Sequence, residues 1–249
     1  MIEQIAFALA LGLATFLFVK SIKRIRRNIF LGRPLPLNDR KSERWKLMAM
    51  VAMGQSKMVK RPVAGFFHFL IYAGFVLINI EVLEIVLDGL LGTHRLFSAP
   101  LGGFYPIVIG FFEVLAVAVL LACVVFLYRR HISKVRRLNL REMKGWPQKD
   151  ATNILVIEIV LMLALLVMNA AEGAFPEPYQ TPAPFLVSGL LSPIFAGWSY
   201  ESLHVLERVC WWGHILGILA FLNYLPFSKH FHIILAFPTV WYSKLKPKG

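Results

Sequence analysis

Apolar residues fill five long stretches of this chain, at about residues 5–19, 62–87, 105–128, 151–171 and 208–234, and polar residues gather between them. A helix rises 1.5 Å per residue, so roughly 20 apolar residues cross a hydrocarbon core about 30 Å thick. The last four stretches reach that length. The first is shorter, but Lys20, Lys23, Arg24, Arg26 and Arg27 follow closely and can extend their cationic tips to phosphate headgroups. The pattern predicts an all-α integral membrane protein, a single domain of five transmembrane helices. No internal repeat and no low-complexity segment interrupts it.

The connecting segments carry their own signals. Residues 20–61 form a long polar loop, in which RPLPLND is broken by proline and Asp39 or Ser42 is placed to cap a helix running to about Lys57. That helix, SERWKLMAMVAMGQSK, mixes Trp45, Leu47, Met48 and Val51 with basic residues. It is predicted to be amphipathic and to lie on the inner leaflet, with a docking face for a soluble partner as the alternative. Between the fourth and fifth stretches, AEGAFPEPYQTPAPF reads as proline-rich loop. PFLVSGLLSPIFAG is too short to cross and reads as a short interfacial helix roofing a pocket.

Composition agrees with the membrane assignment: 57% of residues are hydrophobic and 16% charged, with a mean hydropathy of +0.63. The formal charge of +13 raises nucleic acid as a partner. The distribution argues otherwise. Of 27 Lys and Arg residues, 13 lie between Lys20 and Arg61, eight between Arg129 and Lys149, and four from Lys229 onward, leaving only Arg95 and Arg208. This is the asymmetry that places basic loops on the cytoplasmic side, so the N-terminus is expected outside and the C-terminus inside, in a bacterial-type cytoplasmic membrane. The basic loops suit anionic lipids or an acidic soluble partner, and no aromatic–basic module for nucleic acid accompanies them. The first stretch lacks a small-residue cleavage site and is expected to be a retained anchor. Cys123 and Cys210 form no metal or disulfide spacing, and without four cysteines these residues cannot hold an iron–sulfur cluster alone.

Polar groups inside the apolar stretches are the candidates for chemistry. There are seven histidines: His68, His94, His131, His204, His214, His230 and His232. His214 and His232 are 18 residues apart, which is five helical turns, so an unbroken helix would carry both on one face about 27 Å apart. Pro226 between them is a potential kink. Imidazoles facing the interior of a membrane bundle are the usual axial ligands of haem iron. His68 enters the second span from the cytoplasmic side and His232 closes the fifth on that side, so antiparallel packing would set them at matching depth around one haem b. Arg61, Lys60 and Lys229 stand where propionates would emerge, and equally serve as membrane anchors. No histidine of the second span opposes His214, whose nearest same-face residue there is Asn79. Second haem ligand, quinone contact and structural hydrogen bond remain open for it. Glu81 and Glu84 in the second span read either as hydrogen-bonded groups near the outer surface or, with Asn79, as quinone contacts. Glu113 and Glu158 add a carboxyl each to the third and fourth spans. His131, His204 and His230 fall at or beyond span ends and read as wet, and His94 lies in the outer loop.

The run HILGILAFLNYLPFSKHFH, from His214 to His232, resembles the last span of the cytochrome b (gamma) subunit of respiratory nitrate reductase. In that family two haem-ligating histidines share this spacing, with a similar turn, here Pro226, Phe227, Ser228 and Lys229, before the second. His68, after Phe66 and Phe67, is similar to the family's inner-haem ligand, and the five-helix, N-out architecture also fits. The family's second span carries a further histidine ten residues on, where this chain has Ile78 followed by Asn79. The resemblance therefore implies one haem at His68 and His232 and leaves a second open. The stretches KSERWK, GQSKMVKRPVAGF, EMKGWP and LPFSKHFHI are more closely similar to the membrane domain of heterodisulfide-reductase-like (Fe-S)-binding oxidoreductases. In that group such a domain precedes a cytoplasmic part with iron–sulfur clusters. The ending KLKPKG reads as the start of a linker to such a part.

These readings combine into one expectation. The chain carries electrons between a cytoplasmic iron–sulfur or flavoprotein partner and a menaquinone or ubiquinone through haem b, with clusters on the partner or on a further C-terminal part. A haem-free membrane anchor or assembly subunit, and a proton-coupled transporter using the buried carboxyls, are the rival readings.

Overall fold

The computed structural model describes residues 1–33, 37, 39–58, 60–179 and 185–245. All its elements are helical, and no strand occurs among the described residues. Most of RPLPLND, the stretch 180–184 and the final residues of KLKPKG lie outside the described set.

Among the described residues eight α-helices follow one another: α1 Ile2–Ile29, α2 Lys41–Met48, α3 Pro62–Leu91, α4 Ser98–Leu101, α5 Tyr105–His131, α6 Trp146–Glu172, α7 Tyr200–Tyr224 and α8 His232–Trp241. Five of them are long and apolar enough to cross a membrane, α5 being counted with the short α4 before it. Proline in the first turn starts α3, α5 and α6, where its missing N–H costs no helical bond. Ser199 caps α7 by accepting from the Ser202 N–H at 3.3 Å. Gly92 closes α3 at φ +71°, a conformation a side chain would resist.

Three boundaries differ from the sequence-based expectation. Helix α1 runs ten residues past Val19, because Lys and Arg are good helix formers and favour a helix C-terminus. Helix α2 begins at Lys41 after Arg40, with no side-chain cap. Asp39 instead pairs with Arg44, which holds its carboxyl below the usual carboxylate range. After Met48 the helix widens into a π-turn over Ala49–Met53. Most consequentially, the stretch 208–234 is not one helix. Helix α7 stops at Tyr224, a 3-10 turn covers Leu225–Phe227, Ser228 is extended, a second 3-10 turn covers Lys229–Phe231, and α8 starts at His232. Pro226 supplies no N–H to continue α7. Ser228 caps the next turn through the His230 N–H at 2.8 Å. The fully buried Asp150 on α6 fastens the break, accepting from Tyr224 Oη at 2.5 Å and Lys229 N at 2.8 Å. The five-turn phase match between His214 and His232 is therefore void.

In space α3 packs on α5, α5 on α6 and α6 on α7, while α1 closes the ring against α3 and α7. Phe7 is the contact that seats α1. Its ring is buried against Trp211, with centroids 5.6 Å apart, and over Gly89, where a Cβ would stand 2.8 Å from it. The midsection of the ring is apolar, filled by Ile78, Ala116, Val119, Leu161, Leu165 and Ile215. Most polar groups inside the bundle, His214 excepted, gather at its two ends. One receives Arg26, Arg27, Arg61, Arg129, Arg130 and Lys149, and is called the basic end below. The other, the acidic end, is closed by the α3–α4 loop and by 3-10 turns Ser188–Leu190 and Ser192–Phe195. These turns take the place of the single interfacial helix expected there. At the basic end α2 lies against α8, with the Trp45 and Trp241 rings 5.1 Å apart and Arg44 donating to Trp241 O at 2.7 Å and Ser243 O at 3.0 Å.

Candidate functional site: a histidine cavity and a carboxylate cluster

The break after α7 turns the chain back under α3 and so delivers its histidines to His68. The His68 and His232 ring centroids lie 6.4 Å apart with planes at 48°. His230 stands edge-on to His232 at 5.7 Å. Its ring packs on Phe221 at 5.4 Å and Phe75 at 6.1 Å, so it is not the wet end residue the sequence suggested. The Nδ1 of His232 lies 3.0 Å from Lys229 O. A carbonyl only accepts, so Nδ1 carries the proton and Nε2 keeps its lone pair.

All three histidines line a cavity of about 990 Å³ at the basic end. This is the upper end of the roughly 300–1,000 Å³ usual for small-molecule sites. Ile71, Phe126 and Ile154 give it apolar walls, and Cys123 and Glu158 mark its deep side. Arg61 and Arg130 line it near the mouth. Buried polar atoms almost always have partners, yet His68 Nδ1, His230 Nε2 and the Nε and Nη1 of Arg130 have none among the described residues. Of the three residues expected beside propionates, Lys60 and Arg61 are at the cavity. Lys229 is exposed, with its Nζ 3.8 Å from Met143 Sδ.

His214 is a separate matter. It is buried in the apolar midsection, where Nδ1 donates to Leu161 O at 2.9 Å across the α6–α7 contact. Asn79 does not face it. That side chain is exposed and its amide folds back onto Phe75 O.

The acidic end holds the second concentration of polar groups. Asp88 and Glu84 of α3 fold the following loop back over the bundle. Asp88 accepts from Thr93 Oγ1 at 2.5 Å, Arg95 N at 2.9 Å and Leu96 N at 3.2 Å. Glu84 accepts from Phe97 N at 2.8 Å and Tyr105 Oη at 2.9 Å. The fold inserts the Arg95 guanidinium between α3 and α6. There it donates to Glu172 Oε2 and to Asn169 Oδ1, each at 2.7 Å, and lies over the Phe185 ring. Glu113 accepts from Asn169 Nδ2 at 3.1 Å and Val187 N at 2.8 Å, which ties down the turn that follows. Glu81 is the exception. Its nearest cation is Arg95 Nη1 at 3.7 Å, and neither oxygen has a hydrogen bond among the described residues.

Sequence reasoning missed Arg130, Asp150 and the central place of Arg95. Only Arg95 had left a trace, as one of two cations outside the basic segments. Arg130 was hidden among its basic neighbours.

Two curated relatives are similar to this chain. One is a probable iron-sulfur-binding oxidoreductase, FadF, of Bacillus subtilis (strain 168), 28% identical over 247 residues, covering 99% of this chain and 34% of the relative. The other is an EtfAB:quinone oxidoreductase of Syntrophomonas wolfei subsp. wolfei, 24% identical over 225 residues, covering 85% of this chain and 29% of the relative. The chain thus spans about a third of the length of each. No family model matches the chain. No solved structure matches it either.

Proposed function

We propose that this chain is a membrane-embedded electron carrier that holds haem b between His68 and His232 and links an iron–sulfur or flavoprotein partner to the quinone pool. The observation that carries this reading is the pairing of those two rings. Two imidazoles on opposite sides of one iron, at roughly 2 Å per metal–nitrogen bond, have ring centres about 6 Å apart, against the 6.4 Å found. The cavity fits such a group in three further respects. It is large and mostly apolar, His232 presents a free Nε2, and the orphaned Arg130 guanidinium offers donors to an acidic substituent. Haem b so held supplies a one-electron step.

The chain's own residues set the conditions for that step. His68 and His232 would hold the iron between α3 and α8, with Lys229 O orienting the His232 imidazole and the apolar walls lowering the local dielectric. The basic end is assigned to the cytoplasmic side, where an acidic partner would meet it. The relatives support this redox setting, one being described as iron–sulfur binding and the other as a quinone oxidoreductase. Clusters would reside on a partner or on a further part of the same protein. Of the three residues expected to contact quinone, Glu81 alone keeps unpaired oxygens inside the bundle. Glu84 is engaged, and Asn79 faces outward.

The test is re-oxidation of the dithionite-reduced protein, in liposomes, by a water-soluble menaquinone analogue. Oxidation within seconds, slowed at least tenfold in Glu81→Gln, is the expected result. A reduced protein that the analogue leaves reduced contradicts the quinone link.

A further inference from the structure

Helix α5 ends in Arg129, Arg130 and His131, three residues that the charge pattern alone reads as surface anchors. The structure separates one of them. Arg129 is half-buried and His131 is exposed, bonded to Thr152 Oγ1 at 3.0 Å, but Arg130 is only 8% exposed. Its Nε and Nη1 are sealed from solvent without an acceptor. A guanidinium cannot shed its charge at any physiological pH, and a buried charge left without a counter-charge is strongly disfavoured.

The described residues supply no such counter-charge. Among the described residues no carboxylate lies within 4 Å of Arg130, which forms no ion pair. The acid in the same cavity is Glu158, on the deep side with Cys123, and Cys123 precedes Arg130 by seven residues, about 10 Å along α5. Asn139 reaches the Arg130 backbone carbonyl at 3.5 Å and leaves the guanidinium alone. Of the other cations lining the cavity, Lys57, Lys60, Arg61 and Arg137 are exposed to water and Arg129 is half-buried. Arg130 is the buried one, and it lines the cavity that His68 and His232 line.

We infer that Arg130 is the anchor for a carboxylate of the molecule that fills this cavity, with Arg61 as its solvent-facing neighbour. The occupant must be an amphiphile whose apolar body lies against Ile71, Phe126 and Ile154 and whose acidic group points to the mouth. Resting on the haem reading above, that acidic group is a propionate. A planar fork of N–H donors matches a carboxylate with two parallel bonds, which lysine cannot reproduce. Arg130 is then a positioning residue. It would hold the acidic group of the occupant, which the two imidazoles alone leave free.

The experiment compares wild type with Arg130→Gln and Arg130→Lys, each loaded with haem b and, separately, with haem b dimethyl ester, whose carboxylates are blocked. Haem loss is timed by transfer to apomyoglobin, and the α-band position reports ligation. The expected result is an unchanged α band, haem b lost at least tenfold faster from Arg130→Gln and at an intermediate rate from Arg130→Lys. Haem ester should be lost at one fast rate from all three, and its behaviour in wild type decides the matter even if Arg130→Gln fails to fold. Equal loss of haem b and its ester from wild type overturns the inference and leaves the haem reading intact. A wild type that binds no haem overturns both. Phospholipid that co-purifies with wild type and is missing from Arg130→Gln assigns the guanidinium to a lipid phosphate and overturns the propionate.

Discussion

The imidazoles of His68 and His232 lie 6.4 Å apart at one cavity, although one stands in the second turn of α3 and the other opens α8. What brings them together is the interruption of the final apolar stretch. Helix α7 ends at Tyr224, and the next seven residues turn the chain so that His232 reaches α3 instead of continuing along the α7 axis.

Asp150 holds that turn through Tyr224 Oη and Lys229 N. Asp150→Ala removes the acceptor of both part-buried donors, at a cost of up to about 1–3 kcal/mol for each where water cannot replace it. Thermal unfolding in detergent should register the loss, and haem affinity should fall with it because His232 loses its fixed position. Asp150→Asn, which keeps one acceptor, should fall between the two. A haem affinity unchanged in Asp150→Ala would disconnect the turn from the site.

Arg95 lies inside the acidic end, paired with Glu172 at 2.7 Å. Removing one partner of a buried pair typically costs about 3–5 kcal/mol, because the other charge is left uncompensated. Arg95→Gln should therefore lower the unfolding temperature sharply, and Glu172→Gln in the same chain should restore part of it. Additive losses in the double variant would show that the two do not interact.

Gly89 admits the Phe7 ring. In Gly89→Ala the new Cβ meets that ring at 2.8 Å, an overpacking of the kind that costs about 1–3 kcal/mol. A second change, Phe7→Leu, should relieve it. Thermal melts of the two single variants and the double variant measure the coupling, and a destabilisation that persists undiminished beside Leu at position 7 would place the strain elsewhere.

Arg44 ties α2 to the C-terminal end of α8 and also pairs with Asp39. Arg44→Ala should expose the Lys41–Lys57 segment to trypsin at least severalfold faster. The Asp39 carboxyl is held below its ordinary value by its hydrogen bond to Arg44. A lowered carboxylate stays ionised above its folded value, so the contribution of the pair is intact at pH 7 and at pH 5. It fades only as pH falls through the lowered range. Hydrogen exchange in α2 measured at pH 7 and pH 5, corrected for intrinsic rates, should show equal protection.

The five membrane-length helices were legible because hydropathy over 20 residues is a property of the segment itself. The approach of His68 and His232 was legible from topology, since alternating spans put both at the basic end. The phase argument that first linked His214 to His232 failed, because Pro226 acts together with Asp150, a residue distant in sequence that fastens the broken chain. Arg130 and Arg95 were illegible for a related reason. A cation reads as an anchor or a loop residue until packing shows which one is sealed from water. His214 has its Nδ1 on Leu161 O, a backbone partner that leaves no mark in sequence.

The reduced-minus-oxidised optical spectrum of the purified protein tests the central claim most directly. The account predicts the α band of a low-spin b-type haem in wild type, absent from both His68→Ala and His232→Ala while each variant remains folded. A colourless, stably folded wild type, or a band that survives both substitutions, would contradict it.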